Sequence, residues 1–270
     1  MRLLAAVISL LIPSEPGGNY DLVGRLMARH LGKHLAGNPV VTPQNMPGAG
    51  GLIVANHLYN IAPRDGSVLG LVQGSVIQDQ ALGNPGARFD ANKFSWIGTP
   101  TREAGVTIVW NTGGKMFGAA SVRHVAYGRL GGFQVVKGYK SGPSILLALE
   151  RREIDAMNIY TWREWGKVRP EWVRDGKIQK APPLPDTPVV RFLRAGDDLG
   201  RPLAAPPGTD VNELRAAFHY MLKDPAFLLD AQVMDISIEP TSGGELGGAV
   251  RGLLATPTGA VDAFKAITAD

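Results

Sequence analysis

The chain reads Val-Ile-Ser-Leu-Leu-Ile from residue 7 to residue 12, and after Pro13 it reads Pro-Gly-Gly-Asn-Tyr-Asp from residue 16 to residue 21. The first run is apolar and contains β-branched side chains, which favours a buried strand. Apolar residues then recur at the spacing of one helix face, at Leu22, Val23, Leu26, Met27, Leu31 and Leu35. A strand, a glycine-rich turn and a helix therefore form the first unit of the fold.

The same alternation continues along the chain. It predicts a strand at 39–42, a glycine-rich turn at 47–51, a helix at 52–61 and a strand at 68–72. Such an order predicts a mainly parallel sheet with right-handed crossovers and helices on both faces. Because ligands of open α/β sheets bind at the carboxyl ends of the strands, we expect the turns at 16–21, 47–51 and 73–75 to share one edge.

A second set of elements follows, and 270 residues are enough for two lobes. We predict strands at 106–110, 133–136 and 154–159 with a helix at 144–151, then an extended return crossing at 200–208 and a closing helix at 211–222. On this basis residues 1–104 and 203–270 form lobe 1, and residues 105–202 form lobe 2. The predicted class is α/β with two lobes.

Composition and charge limit the classes of function that the protein can have. The apolar fraction of 44% and charged fraction of 19% are those of a soluble globular protein. A formal net charge of +4 favours anionic ligands, while the lack of a basic stripe argues against nucleic acid. The absence of cysteine excludes disulfides and cysteine nucleophiles. The apolar run after Arg2 is too short to span a membrane and resembles a truncated secretory signal joined to the first strand.

Motifs of catalysis and of metal binding are weak or absent in the sequence. Met116 follows Gly113-Gly114-Lys115 where a phosphate loop needs a hydroxyl, and no Gly-x-Ser-x-Gly occurs. His30 and His34 lie one helical turn apart without the metalloprotease glutamate between them. We therefore predict no catalytic residue, no metal and no cofactor.

The two glycine-rich turns are the candidate binding features. Each precedes a helix, where free N–H groups and the positive end of the helix dipole attract anions. The alternative is ordinary turn chemistry, with Asn19 or Asp21 capping a helix. In the second lobe Arg163 follows a predicted strand and lies beside Trp162, so it offers a fork for a distal carboxylate; a surface salt bridge and a core tryptophan are the alternatives.

Several strings of residues, taken in order, resemble the Bug or TctC-type family of extracytoplasmic solute receptors of tripartite tricarboxylate transporters. They occupy 12–21, 23–26, 44–51, 62–66, 205–208 and 223–227. The resemblance implies a type II periplasmic-binding-protein fold with a ligand cleft between the lobes. It also implies that backbone amides and ordered waters at the first two turns hold a small carboxylate, which could be a di- or tricarboxylate or another organic acid.

Site residues follow from the resemblance, with Arg163 added from the residue pattern. They are Gly17, Gly18, Asn19, Asp21, Ala49, Gly50, Gly74, Ser75, Ser121, Trp162 and Arg163. The family also implies a periplasmic monomer that partners the membrane subunits of the transporter. An enzyme acting on carboxylic acids and a ligand-sensing module remain the alternatives. Two stretches, 111–133 and 178–200, are shorter than is usual in the family, so we expect residues to be missing there and no full helix in the first.

Overall fold

The computed structural model describes residues 6–269 except 103–104, 120, 140–141 and 159–161. Its strands are β1 (Val7–Ile12), β2 (Val40–Asn45), β3 (Val68–Leu71), β4 (Ser95–Thr99), β5 (Thr107–Trp110), β6 (Met116–Gly118), β7 (Gln134–Val136), β8 (Ala156–Asn158), β9 (Ile178–Lys180), β10 (Leu203–Ala205) and β11 (Thr241–Ser242). Its α-helices are α1 (Asn19–Leu31), α2 (Leu52–Asn60), α3 (Gly74–Ala81), α4 (Val122–Leu130), α5 (Gly142–Glu150), α6 (Trp162–Val168), α7 (Pro170–Arg174), α8 (Pro188–Asp197), α9 (Asn212–Met221), α10 (Pro225–Val233), α11 (Gly243–Leu254) and α12 (Thr258–Thr268).

The first compact unit comprises residues 1–103 and 195–256. Its sheet has the order β11-β4-β10-β3-β1-β2, in which β1 pairs in parallel with β2 and β3. The returning strand β10 is antiparallel to β3 and β4, and β11 is antiparallel to β4. The core places the strand side chains Ile8, Leu10 and Ile12 against Leu26 and Met27 of α1. The helical spacing in the sequence therefore marks the face that packs on the sheet.

The second unit comprises residues 104–194 and 257–270. Its sheet has the order β7-β6-β8-β5-β9; β6 pairs in parallel with β7 and β8, and β5 is antiparallel to β8 and β9. Trp165 is fully buried in its core, and the rings of Trp110 and Trp172 lie 4.5 Å apart. The guanidinium carbon of Arg152 lies 3.5 Å from the Trp110 ring centroid, so Arg152 makes a cation–π contact with this aromatic cluster.

The unit boundaries differ from those predicted. The segment 257–270, which we placed in lobe 1, belongs to the second unit, and the first unit resumes at residue 195 and not at 203. The physical reason is the apolar face of α12. Phe264 is 2% exposed and meets the Phe192 ring edge-on at 5.2 Å, while Arg129 of α4 donates to the carbonyl of Ile267 at 2.6 Å.

The expectation of a missing helix in the second unit is wrong. The stretch 111–133 contains both β6 and α4, and the stretch 178–200 contains β9 and α8. The sequence of α4 conceals the helix because glycine occurs within it. At Gly128 an added Cβ would lie 2.7 Å from Val135 Cγ2, so glycine lets the helix approach its neighbouring strand closely.

No helix within the described residues has the length and apolar character that crossing a membrane requires.

Candidate functional site

The carboxyl ends of three parallel strands form the candidate site in the first unit. Ile12 at the end of β1 lies beside Asn45 at the end of β2, and Leu11 lies beside Gly70 of β3. The connections after these strands therefore leave at one edge of the sheet, as the strand alternation predicts. Helices α1, α2 and α3 each begin a few residues beyond that edge.

Asp21 organises the turn after β1. Its side chain is only 3% exposed and accepts a hydrogen bond from the Gly17 N–H at 2.8 Å. Both of its oxygens lie 2.9 Å from Arg25 Nε, and Asn45 Nδ2 donates to it at 2.8 Å. Asn45 Nδ2 also donates to the Ser14 carbonyl at 2.8 Å. One buried carboxylate thus ties the turn, the first helix and the end of β2 together.

Competing effects set the ionisation of Asp21. Burial raises its pKa, but hydrogen bonds from Arg25, Gly17 and Asn45, with the charge of Arg25, outweigh burial and leave the pKa below its usual value. An ionised carboxylate can only accept hydrogen bonds, and it repels another carboxylate. Asp21 therefore positions the turn, and the ligand contact that the family resemblance implies for it stays a prediction.

The amides of this turn are only partly available to a ligand. The Gly17 N–H is bonded to Asp21, and the Gly18 N–H donates to the Glu15 carbonyl at 3.2 Å. Gly18 is the residue before α1, which starts at the exposed Asn19. The first N–H groups of a helix have no carbonyl partner within the helix, so this end of α1 is where an anion can be bound.

The turn after β2 has an unusual backbone. Gly48, Ala49, Gly50 and Gly51 have φ angles of 133°, 47°, 63° and 99°, so all four lie on the positive side. A non-glycine residue such as Ala49 rarely adopts this region. Ala49 and Gly50 are exposed, and a Cβ added to Gly50 meets nothing within 4 Å. Turns with left-handed residues can gather N–H groups into a concave anion site, and this one lies directly before α2. The Gly51 N–H is used within the turn, since it donates to the Gly48 carbonyl at 3.0 Å.

The third turn, at residues 73–75, packs closely against the end of α8. A Cβ on Gly74 would lie 1.9 Å from the Gly196 carbonyl oxygen, so only glycine lets α3 begin against the end of α8. Ser75, the second residue of α3, is half-buried. Gly74 therefore has a structural role that the sequence does not reveal, because it depends on a partner more than 100 residues away.

The remaining predicted site residues lie in the second unit. Ser121 precedes α4 and its Oγ accepts from the His124 N–H at 3.3 Å, so it caps this helix. Trp162 is half-buried against the core, with Lys180 Nζ 5.0 Å from its ring centroid. Arg163 is exposed on α6. The neighbouring residues 160 and 161 lie outside the described residues.

His124 gives the second unit a measurable pH response. Burial, with a smaller contribution from the charge of Arg123, lowers its pKa to about 4 despite a hydrogen bond with the Asn158 backbone. Because an unfolded histidine titrates near 6.5, the unfolded state binds the proton first. We expect the free energy of unfolding to decrease as the pH falls from about 6.5 to about 4, by on the order of 1 to 3 kcal/mol.

Urea unfolding across this pH range checks the prediction, with His124→Gln as the matched variant. The variant should lose this part of the pH dependence. An unchanged slope would show that His124 is protonated in the folded protein as readily as in the unfolded one.

A separate groove of about 600 Å³ lies beside α1 and β2 and is lined by Arg25, Ala28, Arg29, Gly32, Lys33, Asn38, Pro39, Val40, Val41, Pro43 and Met234. Its cationic side chains already have partners within the protein: Arg25 pairs with Asp21, Arg29 with Asp230 at 3.2 Å, and Lys33 with the His30 ring at 3.2 Å. The sheet edge is therefore the better candidate site for an anion.

Among the described residues no group of three or more His, Cys, Asp or Glu side chains could hold a metal ion.

Comparison with known proteins bears on the fold. No protein-family model and no curated protein matches the sequence. Solved structures match nearly the whole chain. A TctC solute-binding protein from Polaromonas, without ligand, has a TM-score of 0.66 at 18% identity, covering 95% of this chain and 98% of its own. MatC from Rhodopseudomonas palustris with bound malate has a TM-score of 0.63 at 17% identity, covering 97% and 98%.

Two further structures agree with these. A protein of R. palustris with adipate has a TM-score of 0.66 at 16% identity, covering 97% of this chain and 96% of its own. The periplasmic binding protein BugD has a TM-score of 0.63 at 17% identity, covering 97% of each chain. The chain therefore has the fold of the TctC and Bug solute-binding proteins.

Proposed function

We propose that this protein captures a small carboxylate and delivers it to the membrane subunits of a tripartite tricarboxylate transporter. The observation that carries the proposal is the second turn. Four consecutive residues with positive φ, from Gly48 to Gly51, lie at the carboxyl edge of a parallel sheet and lead into a helix. Such a turn can present backbone N–H groups to an anion without a specialised side chain.

The first turn supports the same function. The buried Asp21 carboxylate accepts hydrogen bonds from Gly17 and Asn45, so the N-terminal end of α1 is already ordered before a ligand binds. Preorganised donors bind more tightly because less conformational entropy is lost on binding. The net charge of +4 adds a weak attraction for acids.

The ligand class is proposed as small organic acids, di- or tricarboxylates among them. Malate and adipate, bound to two proteins of the same fold, are dicarboxylates of different length. Backbone amides recognise a carboxylate group regardless of what is attached to it, so acids of various lengths are compatible with the turns.

The partner, location and oligomeric state belong to the same proposal. The sequence resemblance to receptors of tripartite transporters supports delivery to a membrane transporter, and the periplasmic proteins among the fold neighbours support a periplasmic location. We propose that the protein acts as a monomer and binds its ligand without converting it. Nuclear magnetic resonance of an acid recovered after long incubation should show it chemically unchanged.

A thermal-shift screen of organic acids tests the function. A ligand at 100 times its dissociation constant adds about 2.7 kcal/mol to the free energy of unfolding, so the midpoint temperature should rise by several degrees for at least one acid. Succinate, malate, adipate and citrate are suitable probes, each paired with its uncharged amide as the control. A flat response to every acid, or equal shifts with acids and amides, would contradict the proposal.

A further inference from the structure

Arg201 is a cation at the same sheet edge that neither the residue pattern nor the family resemblance assigns to the site. It stands two residues before β10 and lies between the ends of β3 and β4, because β10 is antiparallel to both strands. Its side chain is partly buried. The position belongs to the first unit, as do the glycine-rich turns.

The backbone of Arg201 is fixed by its surroundings. Its N–H donates to Thr99 Oγ1 at 3.0 Å, and this hydroxyl donates in turn to the Thr101 carbonyl at 2.9 Å. The preceding Gly200 has a φ of 66°, and an added Cβ would lie 1.7 Å from the Thr101 carbonyl oxygen. Tyr20 Oη donates to the Gly200 carbonyl at 3.1 Å. Tyr20 belongs to the first turn of α1. The backbone next to Arg201 is therefore hydrogen-bonded to the helix that follows the first glycine-rich turn.

The guanidinium has few partners. One Nη1–H donates to Thr101 Oγ1 at 2.9 Å, and the guanidinium carbon lies 5.8 Å from the Tyr20 ring centroid. Its Nε is buried without a hydrogen-bond partner, and no acidic side chain in the described part of the chain pairs with it. By contrast, Arg25 and Arg29 each have an aspartate. A positioned guanidinium without a counter-charge is suited to a carboxylate brought by a ligand.

We propose that Arg201 pairs with the second carboxylate of a dicarboxylic acid whose first carboxylate is held by the glycine-rich turns. This inference rests on the proposed function and makes it more specific. In the sheet order one strand, β3, separates β10 from β1. Two strand spacings amount to about 10 Å between backbones. A ligand with two acid groups can bridge this distance, with one carboxylate at the turns and the other at the guanidinium.

Calorimetric titration with matched acids tests the assignment. Adipate and succinate are compared with their monoacid counterparts hexanoate and butyrate, on the wild type, Arg201→Gln and Arg201→Lys. Arg201→Gln should weaken the better-bound diacid at least tenfold and change the monoacids by less than twofold. Arg201→Lys should fall between, because it keeps the charge but loses the planar fork.

The control variant is Arg215→Gln in the same unit. Arg215 Nε donates to the Trp96 carbonyl near the start of β4, at the other end of the strand from Thr99, so its loss should leave all four affinities unchanged. Unfolding midpoints without ligand show whether each variant is folded. Equal losses for diacids and monoacids, or an unchanged diacid affinity in Arg201→Gln, would overturn the role of Arg201 while leaving the proposed function intact. Failure of the wild type to bind any of the acids would overturn both.

Discussion

Replacing Gly50 by Asp is expected to abolish carboxylate binding, with a loss of affinity of at least 100-fold. Gly50 is exposed at the second turn with a φ of 63°, and a Cβ there meets nothing within 4 Å. Aspartate tolerates left-handed backbone better than most residues, so the fold should persist. The new carboxylate would occupy the space that the anion needs, and apposed like charges cost several kcal/mol.

Gly50→Asn is the matched control, since asparagine has nearly the shape of aspartate and accepts left-handed backbone equally well, but it is uncharged. We expect Gly50→Asn to bind within about tenfold of the wild type, which at 1.4 kcal/mol per tenfold is a modest steric effect. Calorimetry with the best acid from the screen provides the affinities, and circular dichroism checks that both variants are folded. Undiminished affinity in Gly50→Asp would remove this turn from the site.

Replacing Asp21 by Ala is expected to lower the free energy of unfolding by about 2 kcal/mol, because a buried hydrogen-bond donor left without its acceptor costs about 1 to 3 kcal/mol. The lost pairing with Arg25 adds little, since the Arg25 side chain is 43% exposed. The change leaves the Gly17 N–H and Asn45 Nδ2 without the acceptor that now joins them. Ligand affinity should fall as well, because the turn before α1 loses its support.

The pH dependence of the free energy of unfolding distinguishes the contribution of the Asp21 charge from that of the shape of its side chain. A carboxyl whose pKa is lowered in the folded state stabilises the protein above its unfolded pKa of about 3.9, and this contribution is lost as the pH falls through the folded pKa. Urea unfolding at neutral pH and at successively lower pH measures it in the wild type. Asp21→Asn keeps the shape and one acceptor oxygen, so it should be less destabilised than Asp21→Ala and should lack this acid-dependent loss. A destabilisation below 1 kcal/mol in Asp21→Ala would show that the turn is held by other contacts.

The first unit was predictable because its signals are local. The apolar run of β1 and the one-sided spacing of α1 lie within 30 residues of sequence, and the predicted bounds 7–12 for the strand agree with the structure. The common edge of the turns followed from strand direction alone. The roles of Asp21 and Gly74 were not predictable in this way, because each depends on partners brought close only by folding: Asn45 for the first and Gly196 for the second.

The second unit was less predictable for physical reasons. Helix α4 contains a glycine that its tight packing on β7 requires, so the usual spacing of helix-forming residues is interrupted. Helix α12 reads as an amphipathic helix, but the sequence cannot show which unit its apolar face covers. Arg201 was missed because it lies in an extended stretch, 200–208, where no periodicity draws attention to single residues.

The division of the chain between the units has a practical use. Strand β1 belongs to the first unit and α12 to the second, so labels near the two ends of the described chain report on different bodies. The sequence contains no cysteine, which means that introduced thiols are the only ones present. A donor dye and an acceptor dye can be attached to Ala36→Cys in the first unit and Lys265→Cys in the second, which are both exposed positions. Energy transfer between the two dyes then reports on the distance between these positions. Any change in energy transfer when an acid is added would then measure movement of one unit against the other.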